Sequence, residues 1–224
     1  MPGRQVIIAD NEYYHVFNRG VARQPIFSSQ RDYAQALLTL TYYLFSSPPM
    51  KLSRFKIFSI SERDRIIAEQ IKKKEVLVKL VAFTFMPNHV HFLFQQITNG
   101  GVAKFMSQFQ NSYTRYFNTK QKRVGPLFQG AFKAVHVESE EQLLHLTRYI
   151  HLNPVISNVV KKEDLISYPW SSLQDYHKGS SSFVTLNPIL DLLKTPDKYE
   201  KFVFDYMDYA ERLHQVKHLL FEDP

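Results

Sequence analysis

No cysteine occurs in the 224 residues. That absence removes disulfides, thiolate zinc sites and cysteine nucleophiles together, and it fits a reducing compartment. No run of about 18 apolar residues is present, so no segment is expected to cross a membrane as a helix. The opening stretch MPGRQVIIADNEYYHVFNRG lacks the apolar segment of roughly 7–15 residues that marks a secretory signal. A cytoplasmic protein is the expectation. Internal repeats and low-complexity tracts are missing too, and tryptophan occurs once. Acidic residues are the minority charge: 21 Asp and Glu against 28 Lys and Arg leave a net charge of +7.

What is present is apolar and aromatic enough to build a real core, with 44% hydrophobic and 14% aromatic residues. The length suits one domain with an appendage, or two small ones. The basic residues gather in KLSRFK (51–56), IKKKEVLVK (71–79), KQKR (120–123) and at Lys161 and Lys162. Such clusters are the footprint of a polyanionic partner. The many Tyr and Phe residues offer stacking platforms for unpaired bases, although most are expected in the core.

The local patterns give an element order. YYHVFNR (13–19) alternates as a strand ended by Gly20. Residues 31–45 carry apolar groups at helical spacing, and SSPP (46–49) breaks that helix. Residues 51–74 are polar and basic and read as an inserted loop with a helical turn or two. VLVKLVAFTF (76–85) reads as a central strand, Pro87-Asn88 as a tight turn, and 89–95 as its hairpin partner. Val102, Phe105, Met106, Phe109, Tyr113 and Tyr116 form one helical stripe. FKAVHV (132–137) is a short strand. Ser139 and Gln142 fit a capping box that opens a helix expected to stop at Pro154. Strand, helix, strand, strand, helix, strand, helix is the split βαβ pattern of an α+β, ferredoxin-like antiparallel sheet with helices packed on it.

Residues 1–160 are expected to form this core, with a basic insertion at about 46–75. Residues 161–224 form a helical C-terminal extension. Its long amphipathic helix, 197–222, carries a seam of Phe202, Tyr206, Tyr209, Leu213, Val216 and Leu220. Docking on the chain's own core is favoured over a homodimer seam.

The stretch FTFMPNHVHFLFQ (83–95) holds the chemistry. On a strand, His89, His91 and Leu93 share one face, and Val90, Phe92 and Phe94 the other. The two histidines then stand roughly 6.5–7 Å apart at Cα, close enough to converge on one metal ion. Two hydrogen-bonded histidines on a half-buried strand would give the same pattern, so a third ligand matters. Tyr149 and Asn153 are four residues apart and share a helical face. Two imidazoles and a carboxamide oxygen leave positions open for substrate, as a catalytic metal shell requires. A phenol near such a metal could attack a phosphodiester. Spacing alone leaves Tyr113 and Tyr116 open for that role as well.

MPNHVHFLF, followed about 55 residues later by RYIHLNPV, resembles the HUH single-tyrosine transposases. The likeness is closest to the REP-associated tyrosine transposases of the IS200-like group. YHVFNRG, PLFQGAFKAVHV and YPWSSLQDY extend it over roughly residues 13–178. The resemblance implies an HUH endonuclease fold and a metal-dependent transposase. Such an enzyme cleaves and rejoins single-stranded DNA beside hairpins, with Mg²⁺ or Mn²⁺, through a 5′-phosphotyrosine intermediate. Carried over, Tyr149 is the nucleophile, His89 and His91 are metal ligands, and Asn153 stands where relatives carry a polar third ligand, often Gln. Lys120, Lys122, Arg123 and Arg115 are the DNA-binding candidates. Two alternatives stand beside this reading. One is a domesticated, non-cleaving DNA-hairpin binder. The other is an amidohydrolase-type metalloenzyme, which would need a barrel of about 250 residues.

Overall fold

The computed structural model describes residues 7–73 and 75–207. Four strands form one antiparallel sheet: β1 (Tyr13–Arg19), β2 (Val78–Met86), β3 (His89–Gln96) and β4 (Lys133–Val137). Their order across the sheet is β2-β3-β1-β4. This is the ferredoxin-like arrangement, and it is an open sheet rather than the barrel an amidohydrolase would need. Alternation decides which residues face which side. Phe92 and Phe94 of β3 point toward α4 (Gly101–Gln121), where the Phe94 and Phe105 rings lie 4.8 Å apart and the Phe92 and Phe109 rings 5.3 Å apart. Helix α1 (Gln30–Tyr43) packs beside α4 on that face. His89, His91 and Leu93 face the other side, which α5 (Glu140–Ile156) covers.

Helix α5 opens at the expected cap, with the Gln142 side chain reaching one residue further back than a capping box requires. The Ser139 hydroxyl accepts from the Gln142 backbone N–H at 3.1 Å, and the Gln142 carboxamide accepts from Glu138 N–H at 2.7 Å. It does not stop at Pro154. Pro154 lies inside the last turn, and the helix closes at Ile156, where the N–H groups of Ser157 and Val159 bond to the carbonyls of Asn153 and Pro154. A proline this near a helix end removes one hydrogen bond and leaves little helix beyond it to disrupt.

The segment 51–74 also differs from the loop its composition suggests. It holds a short helix α2 (Leu52–Phe55) and a 14-residue helix α3 (Ile60–Lys73). Ser59 and Glu62 cap α3 reciprocally: Ser59 N–H donates to the Glu62 carboxylate at 2.9 Å, and Glu62 N–H to the Ser59 hydroxyl at 3.3 Å. Ile66 and Ile67 pack on a small satellite core of Tyr42, Leu52 and Phe55.

Residues beyond 160 pack into the main core. Short helices α6 (Leu173–Lys178), α7 (Asn187–Leu193) and α8 (Pro196–Phe204) bring Leu173, Tyr176, Ile189, Tyr199 and Val203 into it, all 0–1% exposed. Helix α8 is fastened to α5 twice. The fully buried His151 bonds through Nδ1 to the Tyr199 hydroxyl at 2.5 Å and through Nε2 to the Ser172 hydroxyl at 2.7 Å. The Arg148 guanidinium lies 4.1 Å from the Phe202 ring centroid and 3.9 Å from that of Tyr206, a cation–π sandwich. Only the start of the expected helix 197–222 is described. Tyr209, Leu213, Val216 and Leu220 lie outside the described residues.

Candidate active site

Strand β3 supplies two imidazoles to the α5 side of the sheet. Thr84 of β2 sits opposite His91, and Met86 opposite His89. A β-bulge between Leu80 and Ala82 sets this register. On the other side, β1 places Phe17 opposite His91 and Arg19 opposite His89. His91 is 6% exposed, while His89 is half-buried at the sheet end.

Both rings have one nitrogen engaged. His89 Nδ1 lies 2.6 Å from the Asn88 carboxamide oxygen, and His91 Nδ1 lies 2.8 Å from Nε2 of His15. Helix α5 lays Tyr149 over the pair, its ring edge-on to His91 at 5.9 Å and to His15 at 6.3 Å. Tyr149 remains 45% exposed. One turn on, Asn153 is 4% exposed, and its side chain is within hydrogen-bonding reach of the His89 ring. The structure thus gathers His89, His91, Tyr149 and Asn153 at one place. Tyr113 and Tyr116 are elsewhere. They lie on α4, beyond the opposite face of the sheet, with their hydroxyls donating to Ile26 C=O at 2.6 Å and to the Asp32 carboxylate at 2.9 Å. Burial first, and then the Asp32 charge, push the Tyr113 phenol far up, while Tyr116 is pushed up to about 12. Neither group is poised to lose a proton.

Among the described residues, no three His, Cys, Asp or Glu side chains are grouped so as to hold a metal ion. A site on this face therefore needs the Asn153 amide. The amide suits that part. Its Nδ2 is buried without a hydrogen-bond partner, which leaves its oxygen as the end turned to the histidines. An acceptor oxygen and two imidazole nitrogens are a donor set that a divalent cation satisfies.

A cavity of about 530 Å³ opens beside His89, His91 and Tyr149. Arg19, Arg23 and Lys133 line it among neutral side chains, and no Asp or Glu of the described residues does, so the cavity favours an anion. Arg23 and its neighbour Ala22 hold left-handed backbone, φ 58° and 54°. Non-glycine residues rarely take that conformation, and it concentrates near working surfaces. Asn88 braces this bend, its Nδ2 donating to Arg23 C=O at 3.1 Å. The sequence reading missed Arg19, Arg23, Lys133 and His15.

Of the DNA-binding candidates, Arg115 and Lys120 line a second, larger cleft of about 910 Å³ on the outer side of α1 and α4. Arg31, Lys51 and Lys56 join them, and among the described residues no carboxylate lines the cleft. Burial, together with the charges of Arg31 and Arg63, lowers the Lys56 pKa. Lys120 already has a partner, the fully buried Asp32 carboxylate at 2.7 Å. Lys122 caps α4 in left-handed backbone, and Arg123 donates to Pro126 C=O at 3.0 Å.

Buried neutral histidines tie stability to pH. Burial lowers His15 to about 4 and His151 to about 3. His91 falls well below its ordinary range through burial and the neighbouring His15 and His89. The unfolded chain takes up protons near the ordinary histidine pKa of about 6.5, and the folded chain resists them. The unfolded state then binds more protons, so stability falls as pH drops below that value. The denaturant midpoint is expected to decline from pH 7 to pH 5. A flat or rising midpoint would contradict these burial assignments.

Compared with known families, residues 50–153 match the model of the family described as transposase IS200 like. His89, His91, Tyr149 and Asn153 all fall inside that span. No curated protein matches the chain. Among solved structures, the chain is similar to a REP-associated tyrosine transposase bound to a REP hairpin. The TM-score is 0.50 at 14% identity, over 83% of this chain and 92% of the other. At that identity the likeness speaks for the fold.

Proposed function

We propose, on the premise that residues 50–153 belong to the IS200-like transposase family, that this chain cuts and rejoins single-stranded DNA beside hairpins. The observation that carries the reading is the convergence of His89, His91 and Asn153 beneath a half-exposed Tyr149, beside a cavity that Arg19, Arg23 and Lys133 line. The Tyr149 oxygen attacks the scissile phosphorus. An Oη–P bond forms, the P–O3′ bond breaks, the phenolic proton passes to solvent, and the departing 3′-oxygen takes up a proton as a hydroxyl. The resulting 5′-phosphotyrosine is open to attack by a second DNA 3′-hydroxyl, which rejoins strands and frees the tyrosine. Arg19, Arg23 and Lys133 hold the phosphodiester at the cavity mouth. A divalent cation, Mg²⁺ or Mn²⁺, held by His89, His91 and Asn153, would polarise the phosphate and so ease its attack by a phenol.

The 910 Å³ cleft and the adjoining loop hold the DNA backbone further from the chemistry. Crowding Arg31, Lys51, Lys56 and Arg115 together without a carboxylate costs self-repulsion that a row of phosphates relieves. Lys51, Arg115 and Lys122 lack the buried carboxylate partner that complicates Lys120. Each phosphate contact on a single strand contributes roughly −0.7 to the slope of log K against log salt. Replacing these three with Ala is therefore expected to flatten the slope by about 2 for every hairpin sequence alike. A slope equal to the parent's would take the cleft out of the DNA path. The described part of the C-terminal seam, Phe202 and Tyr206, is partly buried against the chain's own core, with Arg148 stacked on both rings, which favours a working monomer.

The experiment that tests the reading is strand cleavage of an end-labelled, single-stranded hairpin oligonucleotide with Mg²⁺ or Mn²⁺. Metal-dependent breakage beside the hairpin is expected. Retarded but intact DNA would instead mark a hairpin-binding protein that does not cut.

A further inference from the structure

His15 lies outside the His-x-His pair, yet it is 9% exposed, and its Nε2 is 2.8 Å from Nδ1 of His91. Strand β1 puts it there: His15 pairs with Leu93, so its ring leans diagonally onto His91, with the two ring planes 13° apart and centroids 5.1 Å apart. Phe17 stacks on both rings, 4.9 Å from His15 and 5.8 Å from His91. Two ring nitrogens at this distance share one proton, and its side of the contact decides what His91 can do. If His15 donates, the lone pair at His91 Nδ1 is consumed and Nε2 carries the remaining proton. His91 then has no free lone pair. If His91 donates from Nδ1, its Nε2 keeps a lone pair facing the site. The neighbouring ring has an acceptor in the same place. The Asn88 carboxamide oxygen, 2.6 Å from His89 Nδ1, can only accept. A proton on His89 Nδ1 satisfies that oxygen and leaves the Nε2 lone pair free.

We propose that His15 is a positioning residue that accepts the Nδ1 proton of His91, fixing the ring's orientation and leaving His91 Nε2 as the nitrogen that binds a divalent cation. The inference rests on the metal-site reading above and gives each of the two imidazoles a dedicated acceptor, Asn88 for His89 and His15 for His91. Outer partners of this kind set the tautomer and basicity of a ligating imidazole, and their loss typically lowers metal affinity by about 10–100-fold.

The test begins with the full-length, metal-free wild type. Nitrogen-15 NMR of the imidazoles distinguishes Nδ1–H from Nε2–H, and His91 is expected to be Nδ1–H. A His91 ring protonated on Nε2 would overturn the proposal whatever the DNA assays give, because this readout needs neither metal nor substrate. Two variants then separate positioning from packing. His15→Phe keeps a ring between Phe17 and His91 but has no acceptor. It should release His91 from the Nδ1–H form and lower Mn²⁺ affinity, measured by calorimetry, by about 10–100-fold. His15→Gln restores an acceptor oxygen near the Nε2 position and should recover the Nδ1–H form and most of the affinity. Equal Mn²⁺ affinity in His15→Phe and wild type would reduce His15 to a packing residue. A chain that passes these tests but cuts no DNA would refute the functional reading and leave this inference standing.

Discussion

Tyr149→Phe should still bind a single-stranded hairpin with the parent's affinity and salt dependence, yet form no covalent adduct. The substitution removes one oxygen from a ring that is 45% exposed, so it takes away almost no packing. Among the described residues it deletes the one phenol whose ring contacts His91. Losing a covalent nucleophile removes a whole chemical path, and the cleavage rate should fall by at least about a thousandfold. Denaturing gels with labelled DNA read both the nick and the adduct. The alternatives are separable. Tyr113 and Tyr116 lie beyond the opposite face of the sheet with their hydroxyls engaged. An adduct that survives Tyr149→Phe and disappears in Tyr116→Phe would move the chemistry to the α4 side and break the account.

The second large effect belongs to the histidine pair. Joint replacement of His89 and His91 by Ala leaves the Asn153 amide as the sole remaining donor of the set. Mn²⁺ affinity is expected to fall by more than about 100-fold, beyond what loss of an outer partner costs. Cleavage should be lost with it. His91 is 6% exposed, so its removal opens a small cavity, and thermal unfolding of the variant should be followed alongside binding. Between the two metals, imidazole nitrogens favour Mn²⁺ in affinity. Unchanged Mn²⁺ binding in the double variant would mean that the cation, if any, sits elsewhere.

The part of this site legible in the sequence was the part encoded locally. HVHFLFQ alternates so cleanly that both faces of β3 could be read from it, and Ser139 with Gln142 marked where α5 begins. Four-residue spacing put Tyr149 and Asn153 together on α5. His15 was not legible as a partner of His91. Its strand was recognisable, but the pairing of β1 with β3 joins residues 76 apart in the chain, and no local pattern encodes it. The same holds for Arg19, Arg23 and Lys133, which reach one cavity from separate parts of the chain. Helix α3 was missed for another reason. Its polar, basic composition masked the Ser59–Glu62 capping box and the Ile66–Ile67 contact that hold it. Lys120 shows a contact that composition hides: it reads as one more exposed basic residue, and its ammonium lies 2.7 Å from the buried Asp32 carboxylate.

The central claim is that this chain makes a covalent bond to DNA through Tyr149. The most direct measurement incubates the full-length protein with a hairpin oligonucleotide and Mn²⁺, isolates the protein under denaturing conditions, digests it and locates any nucleotide-bearing peptide by mass spectrometry. The account predicts a phosphodiester-linked nucleotide on Tyr149 in the peptide spanning RYIHLNP, formed only when metal is present. Bound, intact DNA with every tyrosine unmodified would contradict it.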